Sequence, residues 1–284
     1  MKHLILGSSG QVGSHLKEYL LSIGEEVIDF DIINSPVQDL RVSYNLNLYD
    51  KIIMSDYVYF LAFDVGGSKY LKQYQDSYEF IDNNMKIMNN VIQILSYTKK
   101  PFLFTSSQMS NISTSSYGLL KAIGEKYTNS LNGLVVRLWN IYGYESPTFE
   151  RSLNRLKNDV VTDFIQMATF DKLIKMRTDG SELRQMLYAS DCAKCMADLM
   201  LMYDELDKLK NYHISSFTWS SIYDIALEVQ KQISCEIIKG EISDDVQFDK
   251  QNKPDPYILE LWKPTLTLSD GISEIIRRRN EFKL

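Results

Sequence analysis

Cysteine is scarce, with three in 284 residues. The odd number excludes a framework of paired disulfides and fits a reducing compartment. Cys192 and Cys195 form a C-x-x-C, but neither a second pair nor a nearby histidine completes a tetrahedral zinc site. His3, His15 and His213 are scattered and unaccompanied by a catalytic pattern, which leaves them structural or surface residues. No apolar run approaches the roughly 20 residues of a membrane span, and the short run after Lys2 meets Gly7-Ser8-Ser9 too soon for a signal peptide. Positive charge is not in excess either: 31 Lys and Arg against 37 Asp and Glu give a net charge of -6. Nucleic acid and anionic membranes are therefore excluded as general partners. These absences leave a cytoplasmic protein whose partners are small molecules or copies of itself. With 44% hydrophobic residues, the chain can bury a large core.

The most informative stretch is Lys2-His3-Leu4-Ile5-Leu6-Gly7-Ser8-Ser9-Gly10-Gln11-Val12-Gly13. An apolar run enters three glycines, each separated from the next by two residues, and Val12, Leu16 and Leu20 continue at helical spacing. The pattern predicts a strand, a tight turn and a helix start. Gly7 supplies a backbone angle that side chains disfavour, Gly10 lets the main chain approach a pyrophosphate, and Gly13 lets the helix pack against the strand. Backbone N–H groups at Gln11 and Val12 then attract phosphates. Three glycines alone also fit an ordinary loop. A second strand-like run, Glu26 to Phe30, ends at Asp31, eighteen positions beyond Gly13, where a dinucleotide fold places the carboxylate that accepts from a ribose diol. Asp31 favours NAD over NADP, because its charge repels a 2′-phosphate and no Lys or Arg lies between Lys17 and Arg41 to neutralise one.

Strand-like and helix-like patterns alternate through the first half. Residues 56–63, 102–104 and 134–139 read as strands, and 75–98 and 116–130 as helices. Alternation of this kind predicts an α/β fold, a doubly wound parallel sheet of Rossmann type, with ligands beyond the carboxyl ends of its strands. Thr105-Ser106-Ser107 stands at such an end and faces the cofactor. Tyr117 and Lys121 follow, four apart and so on one helix face. Of the eighteen tyrosines in the chain, only Tyr117 has a lysine four residues later. A phenol has a pKa of about 10, and a cation about 4–6 Å away lowers it by roughly 1–3. Tyr117 can then take the proton of an alcohol as hydride leaves the same carbon, with Ser107 hydrogen-bonding the alcohol oxygen. A surface tyrosine–lysine pair is the alternative for this short motif.

Taken together, the sequence resembles the extended short-chain dehydrogenase/reductases that act on nucleotide sugars. GSSGQVG matches their glycine motif, Phe60-Leu61-Ala62 a strand end lining the cofactor, Phe104-Thr105-Ser106-Ser107 the serine strand and YGLLKAIGE (117–125) the catalytic helix. Arg137-Leu138-Trp139-Asn140-Ile141-Tyr142-Gly143 is similar to the segment after the sixth strand. Residues 179–188 and the stretch from Leu261-Trp262-Lys263-Pro264 to Asp270-Gly271-Ile272 resemble substrate-domain motifs. The resemblance implies that Asp39 and Leu40 flank the adenine, that Leu61, Ala62, Thr105, Tyr117 and Lys121 contact NAD, and that Ser107, Gln108 and Asn140 touch the sugar nucleotide. It gives Arg184 the diphosphate, a role suited to a planar charged fork. It also implies a dinucleotide-binding domain at 1–145 and a smaller α/β nucleotide-sugar domain at 146–284, with parts of about 185–216 packing back on the first. Relatives commonly form homodimers through the helices at 75–98 and 116–130.

Departures from the family pattern narrow the reaction. Gln108-Met109 stands where dehydratases carry an acid pair, which disfavours elimination, and Met109 replaces an epimerising cysteine, which disfavours epimerisation at carbons 3 and 5. Asp64-Val65-Gly66-Gly67-Ser68 resembles a loop of GDP-sugar reductases and hints at a GDP-sugar. The expected activity is an NAD-dependent 4-epimerase of surface-polysaccharide sugar biosynthesis. A 4-keto-sugar reductase or 4-dehydrogenase is the alternative, and a catalytically silent NAD-binding protein is the alternative of another class. Retention of Ser107, Tyr117 and Lys121 speaks against the silent protein.

Overall fold

The computed structural model describes residues 1–144, 157–242 and 252–281. Short apolar runs form the strands β1 (Lys2–Leu6), β2 (Glu26–Phe30), β3 (Tyr57–Phe60), β4 (Phe102–Ser107) and β5 (Leu134–Leu138). Small two-stranded pairs join β6 (Asn140–Tyr142) to β9 (Met186–Tyr188), β7 (Leu173–Lys175) to β12 (Glu236–Ile238), and β8 (Leu183–Arg184) to β11 (Ser220–Ser221). The last strand of the main sheet is β10 (Asn211–Ile214). Its six strands run in the order β2-β1-β3-β4-β5-β10, and every neighbouring pair is parallel.

Period-two alternation sends side chains of one strand to two different cores. Ile5, Tyr59 and Leu103 pack with α1 (Gln11–Ser22) and α7 (Ala189–Leu201). Leu4, Leu6, Val58, Phe60, Phe102 and Phe104 pack with α2 (Leu46–Met54) and α4 (Tyr78–Thr98). Helices therefore cover both faces, and the architecture is the doubly wound α/β fold that the alternation predicts. Cys192 and Cys195 lie on α7 inside the first of these cores, where burial pushes both thiols up. A third apolar cluster gathers α6 (Val160–Gln166), α8 (Ile222–Gln232) and α9 (Leu268–Glu281) around Tyr142, Ile174 and Tyr188.

Several boundaries differ from the sequence reading: β4 runs three residues beyond 104, to Ser107, and β5 ends one residue early, at Leu138. The strand expected at 56–63 ends at Phe60, because the N–H groups of Leu61 and Ala62 both donate to the Leu6 carbonyl and turn the chain. The helix expected at 75–98 begins at Tyr78. Ser77 caps it by accepting from the Phe80 N–H, and residues before the cap form the separate helix α3 (Ser68–Tyr74). Helix α5 (Ser116–Ser130) has the predicted limits, with Ser115 as its N-cap. The domain boundary expected at 145–146 lies outside the described residues.

Candidate functional site

The chain leaves β1 for β2 on one side of the sheet and later returns to β3 on the other. The reversal opens a crevice beyond the carboxyl ends of these strands, and a cavity of about 660 Å³ occupies it. The three glycines of the first turn behave differently there. Gly7 has φ +93°, and a Cβ on it would lie 2.9 Å from the Ala62 nitrogen. A Cβ on Gly13 would lie 2.1 Å from the Gly7 oxygen. Conformation and packing thus require both residues. At Gly10 a Cβ would meet nothing closer than 3.5 Å, so the protein itself leaves room, and this residue lines the cavity. Helix α1 begins at that point with no side-chain cap, leaving its first N–H groups for an anion. A dinucleotide pyrophosphate fits this arrangement.

At the far end of β2, Asp31 lines the same cavity. Its carboxylate accepts from the Ser9 N–H at 3.0 Å and the Ile33 N–H at 3.1 Å, which ties the glycine turn to the end of β2. Asp39, Leu40, Leu61 and Ala62 also line the cavity. Arg41, the residue that bounds the charge argument for NAD, reaches the cavity as well. Its guanidinium is held by Asp39 in a two-pronged pair, Nε to Oδ1 at 2.9 Å and NH2 to Oδ2 at 2.8 Å. That pairing holds the Asp39 carboxyl below its ordinary range and keeps the cation from cancelling Asp31.

The other end of the cavity holds Thr105, Ser107, Tyr117 and Lys121. β4 delivers Ser107 at its last position and α5 presents Tyr117 and Lys121 one turn apart. Ser107 hydrogen-bonds the Tyr117 phenol, and Lys121 Nζ donates to the Thr105 carbonyl at 2.7 Å. Electrostatics here differ from the sequence reading. Burial pushes the Tyr117 phenol up to about 12, against the Ser107 hydrogen bond, and pushes Lys121 down to about 7. Desolvation outweighs the Ser107 hydrogen bond at the phenol and the Glu125 charge at the lysine, so the phenol is not activated in the protein alone.

Behind the pair, Glu125 anchors α5 to the sheet. It accepts from Arg137 Nε at 2.8 Å and NH2 at 2.7 Å, and from Ser106 Oγ at 2.5 Å. Burial pushes the Glu125 carboxyl up, yet Arg137 and Ser106 together hold it below its ordinary range.

One wall of the cavity carries the Asp64–Gly67 part of the loop that the sequence marks only by resemblance, together with Phe63, Tyr70, Lys157 and Asp159, which sequence reasoning gave no role there. Asp64 accepts from Tyr70 at 2.7 Å and from Asn83 at 3.2 Å. Gln11, next to the second glycine, donates to Asp159 at 3.0 Å, a carboxyl that burial pushes up. Gly66 and Gly67 have packing reasons: added Cβ atoms would lie 2.7 Å from the Tyr70 side chain and 2.0 Å from the Asn158 carbonyl oxygen. No local spacing marks Gly67 or Gln11, because their partners Asn158 and Asp159 lie far along the chain, the second of them 148 positions from Gln11.

Gln108, Asn140 and Arg184 do not line the cavity. Gln108 donates to Asn140 at 3.1 Å, leaving Gln108 Oε1 and Asn140 Nδ2 buried without partners. Arg184 sits half-buried on β8 and donates to the Leu183 carbonyl. His15 and His213 are buried and pushed down to about 4 by desolvation, consistent with neutral, structural rings. Among the described residues no cluster of His, Cys, Asp or Glu could hold a metal, and no helix is long and apolar enough to cross a membrane.

Comparisons with known proteins place this geometry. The chain is 28% identical over 184 residues to a protein of Methanocaldococcus jannaschii provisionally named UDP-glucose 4-epimerase, a match covering 57% of this chain and 52% of that protein. The chain thus spans about half the length of that relative. It is 24% identical over 265 residues to the UDP-N-acetyl-alpha-D-glucosaminuronate decarboxylase of Bacillus cytotoxicus, covering 80% of this chain and 79% of that one. Among solved structures, a GDP-6-OMe-4-keto-L-xylo-heptose reductase from C. jejuni shares the fold, with a TM-score of 0.81, 18% identity, and coverage of 99% and 98% of the two chains. The model of the NAD dependent epimerase/dehydratase family matches residues 3–215, so this chain belongs to that family.

Proposed function

We propose that the protein is a 4-epimerase that oxidises and re-reduces carbon 4 of a nucleotide-linked sugar with retained NAD, supplying sugars for surface polysaccharide in the cytoplasm. One observation carries the reading: a single cavity runs from Asp31 and the glycine turn to Ser107, Tyr117 and Lys121. Bound NAD supplies the hydride acceptor and a positive nicotinamide. Tyr117 takes the proton of the 4-hydroxyl, Ser107 hydrogen-bonds the same oxygen, and Lys121 holds the ribose beside them. The phenol near 12 and the lysine near 7 give the added cation a clear task, since it favours phenolate.

Under this reading, residues up to 145 form the dinucleotide domain and those from 146 form most of the sugar domain. The separate apolar cluster around α6, α8 and α9 supports the division. Gln108, Asn140 and Arg184 then serve the sugar nucleotide. Leu119, Ile123 and Tyr127 on α5, with Tyr78, Ile81 and Tyr97 on α4, are exposed and support a homodimer through these helices. The Asp64–Ser68 loop favours a GDP-sugar by resemblance, whereas the packing of Gly66 and Gly67 is independent of the base.

The test has two arms. The purified protein is denatured and the released nucleotides are identified by mass spectrometry; intact protein is then given UDP- and GDP-hexoses and followed by proton NMR. Retained NAD with interconversion at carbon 4 is expected. An empty site, with NADH consumed only by a 4-keto sugar, would replace the epimerase by the reductase.

A further inference from the structure

We propose that Phe63 is a positioning residue of the proton relay: its ring face, set against the Lys121 ammonium, holds that cation at the dry end of the cavity and leaves its other N–H groups for Thr105 and a ligand hydroxyl. Lys121 Nζ lies 3.7 Å from the centroid of the Phe63 ring, well within the range of a cation–π contact. The same ring meets Tyr117 edge-on, with centroids 5.9 Å apart and an interplanar angle of 75°. Phe63 therefore touches both members of the pair. From sequence it reads as the end of a core strand, but the chain turns at Leu61 and Ala62 and delivers the ring into the cavity.

The surroundings explain why a ring is useful there. Lys121 is almost wholly buried, and the one carboxylate whose charge opposes that burial, Glu125, makes its hydrogen bonds to other groups. Glu125, one turn along α5, is held by Arg137 of β5 and Ser106 of β4. Asp64, beside Phe63, is bound to Tyr70 and Asn83. From β4 come the Thr105 carbonyl at 2.7 Å and the Phe104 ring at 5.0 Å, and from α5 itself the neutral Tyr117 and the more distant charge of Glu125. A quadrupole attracts the ammonium without adding a negative charge that would oppose phenolate formation at Tyr117. Burial already brings Lys121 to about 7, so a modest contribution changes the charged fraction near neutral pH.

The inference rests on the proposed relay, and its test separates the two. Lysine labelled with carbon-13 at Cε reports the protonation of Lys121 by NMR, its resonance being the one lost in Lys121→Met. Phe63 is replaced by 4-fluoro-, 3,5-difluoro- and 3,4,5-trifluorophenylalanine, which keep the shape and drain the ring face, and by Leu. The Lys121 midpoint should fall stepwise along the fluorinated series and by about 0.5–1.5 pH in Phe63→Leu, while Phe63→Tyr keeps it. An unchanged midpoint across the series refutes the contact. A stepwise fall together with full turnover in Tyr117→Phe overturns the relay, and leaves Phe63 a structural neighbour of Lys121.

Discussion

Replacing Lys121 by Met should stabilise the cofactor-free protein near neutral pH while abolishing its turnover. Lys121 keeps its proton up to about 10.5 when unfolded and to about 7 when folded. Between these values the unfolded chain binds more protons, so stability rises with pH through the window and the buried cation is most costly at its lower end. At pH 7 the difference amounts to about 4 kcal/mol, from roughly 1.4 kcal/mol for each pH unit of displacement. Met keeps the aliphatic stem but loses the hydrogen bond to Thr105, worth about 1 kcal/mol. The variant should therefore gain about 3 kcal/mol at pH 7, and less than about 1 kcal/mol at pH 9.5, where the wild-type lysine is neutral in the fold. Urea unfolding of both proteins at pH 6.5, 7, 8, 9 and 9.5, followed by circular dichroism, measures the difference. A variant less stable than wild type at pH 7, or a difference that does not narrow with pH, refutes the reasoning. A residue whose removal stabilises the fold and silences the enzyme is retained for chemistry.

Tyr117→Phe removes only the phenolic oxygen and should lower turnover of the authentic nucleotide sugar by about 10²-fold or more, with NAD binding largely kept; near-wild-type turnover removes Tyr117 from the chemistry. Asp31→Asn keeps the acceptor for the Ser9 N–H but loses the charge, so calorimetric titration should show NADP gaining on NAD, and an unchanged ratio places the ribose elsewhere. Arg184→Lys keeps charge but loses the fork, and sugar-nucleotide affinity should fall by roughly 1–3 kcal/mol with NAD affinity intact. An equal loss for both ligands makes Arg184 structural.

That the glycine turn, Asp31, Ser107, Tyr117 and Lys121 share one cavity was legible in sequence because each of these signals is local. The glycine turn, the acidic end of β2, the serine end of β4 and the Tyr117–Lys121 turn of α5 are each written within about twelve consecutive residues, where strand and helix periods fix geometry. The wall opposite is built differently. Gly67 must lack a side chain because the Asn158 carbonyl crosses it; Gln11 meets Asp159 across 148 positions; Lys69 pairs with Asp163 across 94. No propensity or spacing encodes such partners, and the same glycine pair can be mistaken for a signature of the ligand. Electrostatics were misread for a related reason. A lysine four residues from a tyrosine implies attraction, but the sign of the outcome depends on burial, which is a property of the whole fold. With Tyr117 pushed up and Lys121 pushed down, the pair rests neutral rather than ionic at alkaline pH. Under the proposed relay, such a site stays inactive until a positive ligand enters, and the hydroxyl proton is then drawn off where hydride can also leave. Desolvation, which reads as a defect in a bare tyrosine–lysine pair, is under that relay the property that makes proton removal depend on the bound cofactor.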